Sequence, residues 1–168
     1  FLSHGEAERL LAALREKDRL THDLALLSLH SGLRVGEMVK LKWSHIDLDR
    51  GLITVLDPKG GEGRVAFMTE RVKAMFWAMS RRDPDAFIFV KDNGERITEM
   101  PRTFNEAVKD LGLNQGISDP RLKVVAHSLR HTFASWHVEA GTDLYTVKTL
   151  MGHSVIQMTE RYAHLSNG

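Results

Sequence analysis

Cysteine is absent from the 168 residues. That absence removes a disulfide framework, thiolate zinc sites and cysteine nucleophiles together, and it fits a reducing compartment, with the cytoplasm the plain expectation. Long apolar runs are also missing: the longest stretches, such as Leu24 to Leu29, fall far short of the ~20 residues a membrane span needs. No basic segment precedes a short apolar core, so neither a membrane nor a secretion reading survives. An excess of one charge is lacking as well. Lys and Arg total 23 against 22 Asp and Glu, spread along the chain, so no basic tail or block announces a nucleic-acid partner. What is present is ordinary globular material, 42% apolar and 27% charged, in a length that buries most of its surface as one domain. The first residue is Phe1 rather than Met, from which we expect the chain to be an excised part of something longer.

Ser3 and Glu6 fit a capping box ahead of Leu10, Leu11 and Leu14, predicting a helix from Ser3 to Arg15. A second helix, Leu20 to His30, stops at Gly32, the residue best able to take a left-handed conformation past a helix end. A third is expected from Val35 to Leu41. The turn-forming run Asp47 to Gly51 leads into a β-rich segment, Leu52 to Leu56, and Gly60, Gly61 and Gly63 separate this from a second, Arg64 to Met68, which together read as a hairpin. Helical spacing returns through Val72, Met75, Phe76 and Met79, and again over Thr98 to Leu111, with Pro101 placed in the first turn. Three helices close the chain: Ala126 to Ala140, Leu144 to Met151 before Gly152, and Val155 to His164 after a Ser154 cap. The fold class is therefore mainly α with a small antiparallel sheet near residues 52–68. There is no internal repeat and no linker, so residues 1–168 read as a single domain.

His127 and Arg130 stand three apart and project from one helix face, able to address one anion. Such a pair arises readily by chance in a chain with 9 histidines. His127, His131 and His137 also invite a zinc assignment, which fails for want of the Glu of a His-Glu-x-x-His helix. The order of short segments carries more information than any of them alone: Ser31-Gly32-Leu33-Arg34-Val35-Gly36-Glu37, then Lys59 in the hairpin turn, then His127-Ser128-Leu129-Arg130-His131, then Leu150-Met151-Gly152-His153-Ser154, then Tyr162.

That ordered set resembles the tyrosine recombinases, also called the phage integrase family, and specifically their C-terminal catalytic domain, over essentially the whole chain. The resemblance assigns six roles: Arg34, Lys59, His127, Arg130, His153 and the nucleophile Tyr162. It implies duplex DNA as partner, covalent strand exchange with no metal ion or cofactor, and self-association into a synaptic tetramer on DNA when full length. The isolated domain is expected to be monomeric and to lack the family's N-terminal core-binding domain. Cytoplasmic action on the nucleoid follows from the same likeness. Tyr145 falls between the paired arginines and the Gly-His and so lies in the wrong place for the nucleophile. Two departures, Ser128 where Asp is frequent and Val65-Ala66-Phe67-Met68 where Val-Pro-Leu is common, miss the six positions.

The roles have physical reasons of their own. Breaking a phosphodiester concentrates negative charge on its non-bridging oxygens, and two planar guanidiniums that fork onto them favour that state. Arg34 and Arg130 would supply them, with Glu37 as a brace for an arginine. A phenol of ordinary pKa ~10 must lose its proton to attack, for which His127 is the sequence candidate. Lys59 would protonate the leaving 5′-oxygen and His153 would donate to the phosphate. Two other readings stay open: a type IB topoisomerase-like enzyme using similar chemistry, and a DNA-binding accessory module without catalysis.

Overall fold

The computed structural model describes residues 1–57, 63–80 and 83–166. Helix α1 (His4–Lys17) starts at the expected capping box: Ser3 Oγ accepts from Glu6 N at 3.2 Å and Glu6 returns a carboxylate to Ser3 N at 2.8 Å. Asp18 ends α1 and caps α2 (Arg19–Ser31) with one side chain, accepting from Leu20 N and Thr21 N. Almost all of α2 is buried, because it lies between α1 and α6 (His127–Glu139) and also meets α4 (Glu70–Ala78). α5 (Thr103–Asp110) packs on the outer side of α1. The main core gathers Leu10, Leu14, Leu24, Leu27, Phe76 and Phe104 between these helices.

The sheet has three antiparallel strands in chain order, β1 (Ile46–Asp47), β2 (Leu52–Val55) and β3 (Arg64–Phe67). β2 and β3 pair from Leu52↔Phe67 to Val55↔Arg64, which turns Ile53, Val55 and Ala66 inward and leaves Val65 and Phe67 exposed. The predicted hairpin is thus present, extended by a first strand the sequence reading did not include. Its turn, with Lys59, lies outside the described residues.

Three elements end differently from expectation, each for a nameable reason. The helix expected over Val35 to Leu41 is a single turn, α3 (Val35–Met38). Beyond it Leu41 O accepts from Ile88 N at 3.0 Å and Lys42 bridges Phe87, so backbone pairing with the short apolar stretch Phe87 to Val90 replaces helical bonds. The helix expected from Thr98 begins at Thr103, because the residue before Pro101 is held out of the helical region. The last helix, expected from Val155 to His164, divides into α8 (Gln157–Glu160) and a 3₁₀ turn, Ala163–Leu165. Tyr162 N bonds Thr159 O and Leu165 N bonds Tyr162 O, i to i−3 links that tighten the chain and turn Tyr162 inward. Ser154 does not cap this helix; its hydroxyl meets the Met158 sulfur at 3.9 Å. A satellite core forms here from Phe133, Val138, Val147, Met151 and Tyr162, with α7 (Leu144–Met151) supplying its outer side.

Candidate active site

Arg34 leaves the main core at the α2–α3 junction. Gly32 ends α2 at φ +73°, and a Cβ there would lie 2.5 Å from a Phe133 ring carbon, so both backbone angle and space call for glycine. The chain then turns sharply, Leu33 is buried, and Arg34 becomes the N-cap of α3. Glu37, at the third position of that turn, accepts from the Arg34 backbone N at 2.8 Å and from Arg34 Nη1 at 3.0 Å. The same carboxylate takes both terminal nitrogens of Arg64, at 2.6 and 2.9 Å. Burial by itself would raise the Glu37 pKa; the bonds from Arg64 and Arg34 outweigh it and hold the group below its ordinary value. The brace anticipated at Glu37 is therefore present, and it spans two arginines.

Arg130 is 2% exposed, an extreme position for a guanidinium. Its Nη1 donates to Gly32 O and its Nη2 to Met151 O, each at 2.5 Å. These carbonyls lie where α2 and α7 end, and a helix end leaves carbonyls without intrahelical partners. A cation between two helix C-termini also meets their negative dipole ends, which accounts for a buried charge bonded to backbone rather than carboxylate. Burial, then the neighbouring Arg34, brings the Arg130 pKa down to about 10, which leaves it charged at neutral pH.

Gly152 closes α7 in a left-handed conformation and delivers His153. His153 Nδ1 bonds Thr159 Oγ1 at 2.7 Å, so Nε2 is the nitrogen available to a ligand. Burial first, then Arg130, Arg34, Arg161 and Arg64, pushes its pKa down to about 4. His127 stands at the start of α6, its ring edge-on to His131 at 4.6 Å between centroids. Its pKa is likewise lowered by desolvation and then by Arg130, Arg34 and Arg161.

Tyr162 is 5% exposed, packed in the satellite core, and its hydroxyl is hydrogen-bonded to His131 Nδ1. Burial pushes the phenol up, with Arg161 and Arg130 opposing. His131 is pushed down to about 4 by burial, then by His127, Arg161 and Arg130. At neutral pH both partners are uncharged, so the phenol donates and the imidazole nitrogen accepts.

One cavity of about 660 Å³ gathers these groups: Arg34, His127, Arg130, His153 and Tyr162 line it, with His131 and Arg161. Five of the six sequence candidates border a common space; Lys59 lies outside the described residues. Among the described residues the charged groups that line the cavity are arginines, which favours an anionic ligand. Three participants escaped the sequence reading. His131 was weighed only as a zinc ligand, although its four-residue spacing from His127 puts the two rings on one face. Arg161, beside the nucleophile in sequence, carries no motif signal that separates it from surface charge. Arg64 shares a strand face with buried Ala66, a two-residue period that already pointed it inward.

A family model described as the phage integrase family matches residues 1–168. Tyrosine recombinase XerA of Thermococcus kodakarensis is 33% identical over 98% of this chain and 58% of its own length. The solved catalytic domain of bacteriophage HP1 integrase aligns with a TM-score of 0.74 at 26% identity, covering 99% of this chain and 88% of that one. The Tn1549 transposon integrase, solved in complex with circular intermediate DNA, aligns with a TM-score of 0.75 at 26% identity over 96% of this chain and 61% of that one. This chain spans about half the length of the curated relatives it matches. From the matched length, the shared helical architecture and the order in which the cavity groups follow one another, the chain belongs to the phage integrase family, the tyrosine recombinases.

Proposed function

We propose that this chain is the catalytic domain of a site-specific recombinase that cleaves and rejoins duplex DNA through a 3′-phosphotyrosyl link. The observation that carries the proposal is the opening of a single cationic cavity onto both guanidiniums, Arg34 and Arg130, and onto the Tyr162 phenol. In the cleavage step the Tyr162 oxygen attacks phosphorus, the bond from phosphorus to the 5′-oxygen breaks, and the leaving oxygen takes a proton, for which Lys59 is the donor. Charge developing on the non-bridging oxygens is met by Arg34 and Arg130, with His153 Nε2 and His127 donating hydrogen bonds. The phenol's proton passes to His131, the imidazole bonded to it, rather than to His127. Since the phosphotyrosyl link keeps a phosphoester, a 5′-hydroxyl from another strand reverses the step without ATP. Residues that hold the charge without a metal ion make the reaction independent of one. In the full-length protein four copies act as a synaptic tetramer on DNA, while this domain alone is a monomer, working in the cytoplasm on nucleoid DNA.

A nicked suicide duplex tests this, after the recombination site has been recovered by selecting covalently captured duplexes from a random pool. Wild-type protein should give a denaturant-stable protein–DNA adduct, Tyr162→Phe none, and a chelator should leave the yield unchanged. An undiminished adduct in Tyr162→Phe would refute the nucleophile assignment.

A further inference from the structure

Arg64 opens β3, opposite Val55 in the hairpin, and only about a fifth of its side chain, 19%, is exposed. Three features of its surroundings matter. Its two terminal nitrogens fork onto the Glu37 carboxylate, itself 14% exposed. Its arm fills the space that a side chain on Gly152 would need, since a Cβ there would stand 2.7 Å from Arg64 Cδ, 2.8 Å from Nε and 2.9 Å from Cζ. Its Nε is buried beside Gly152 with no hydrogen-bond partner among the described residues, which carries a desolvation cost. A salt bridge made only for stability would be expected to satisfy that nitrogen.

We propose that Arg64 is a positioning residue that sets two phosphate-facing groups at once, Arg34 through the shared Glu37 carboxylate and His153 through the Gly152 turn. The inference rests on the reading of Arg34 and His153 as groups that touch the scissile phosphate.

The geometry gives the mechanism. Glu37 accepts from the Arg34 guanidinium through one terminal nitrogen only, because the Arg64 fork and the Arg34 backbone N together occupy the rest of the carboxylate. Arg34 therefore keeps donors free for a ligand. Without Arg64, one acceptor position on each Glu37 oxygen would be released, and a bidentate fork onto them from the Arg34 guanidinium would draw it off the cavity. Charge points the same way. One carboxylate shared by two guanidiniums leaves the cluster with a net positive charge, whereas one shared with Arg34 alone would cancel it. Loss of the Arg64 arm would also remove the side chain that packs against Gly152 and the turn that aims His153.

The test uses the full chain and two nicked suicide duplexes identical except at the scissile position, one with a phosphate and one with a methylphosphonate. A methylphosphonate has lost a charged non-bridging oxygen, so its cleavage needs Arg34 far less. Arg64→Met should slow adduct formation about 100-fold on phosphate, and by less than about 5-fold on methylphosphonate, with duplex binding unchanged. Arg64→Lys keeps a charge but not the fork, and it should fall between Arg64→Met and wild type on phosphate. Equal slowing on both duplexes, or no slowing on phosphate, overturns the proposal. Should Arg64→Met fail to fold by thermal melting, the same comparison on Arg64→Lys decides it. If the wild-type protein forms no adduct on the phosphate duplex, the transferase reading itself falls and takes this inference with it, an outcome distinct from a selective failure of the Arg64 variants.

Discussion

The two walls of the cavity are built differently. On the cationic wall, Arg130 and Arg34 come from α6 and the α2–α3 junction, with Glu37 and, from β3, Arg64 behind Arg34, and bonds between residues far apart in the chain hold them. On the phenolic wall, Tyr162 sits between a one-turn helix and a 3₁₀ turn, and its hydroxyl is held by a side-chain bond to His131. The first wall belongs to the main core and its edges; the second to the satellite cluster around Phe133 and Met151. Charge stabilisation rewards groups that need no reorganisation when the reaction occurs, and long-range bonds provide that fixity. A nucleophile, by contrast, must leave its resting bond to reach phosphorus, and short elements with local bonds open at low cost.

The largest effect expected from this contrast is on Arg130. Arg130→Met leaves the Gly32 and Met151 carbonyls unbonded in a buried place, and it should cost about 3 kcal/mol of stability by chemical denaturation and about 100- to 1000-fold in adduct formation. Tyr162→Phe, on the other wall, should cost only about 1 kcal/mol of stability while abolishing the adduct. Comparable destabilisation by the two changes would break the comparison.

Gly152→Ala comes next. Its left-handed φ of +68° and the Arg64 arm at 2.7 Å both oppose a methyl group. We expect a loss of about 2 kcal/mol in thermal or denaturant unfolding and slowed cleavage through His153. A neutral result would mean that the Gly152 turn shifts without disturbing the cationic wall.

The smallest effect is pH dependence. His131 and His153 have an ordinary value of 6.5 and are held at about 4 in the folded protein. Between those values the unfolded chain binds more protons than the folded one, so stability falls as the pH drops from 6.5 towards 4 and is flat above 6.5 so far as these groups decide it. Melting temperature measured across that window should fall less steeply in His153→Gln than in wild type. An equal slope in both would remove His153 from the acid-sensitive set.

How much of this was legible in the residues varies along the chain. Helix ends marked by the Ser3–Glu6 capping box or by a following glycine are legible: α1, α2 and α7 begin and end within about two residues of expectation, because capping chemistry is local, whereas the Asp18 and Asp143 caps emerge only in the structure. The truncated α3 and the divided last helix were not legible, because Phe87 to Val90 and His131 act on them from far along the chain. Similarly, the sequence order indicated Arg34, His127, Arg130, His153 and Tyr162 as a set, but the imidazole that meets the phenol had to come from packing.

From the sequence alone came the mainly helical class, the hairpin, the braced arginine at the α2–α3 junction and the family to which the ordered segments point, since caps, periods and short motifs act over a few residues. Tertiary structure alone decided that Arg130 ties two helix ends together, that Glu37 is shared between Arg34 and Arg64, and that His131 rather than His127 holds the phenol. Those bonds join residues brought together only when the cores close, and the identity of a hydrogen-bond partner across such a distance is a property of packing, not of spacing along the chain.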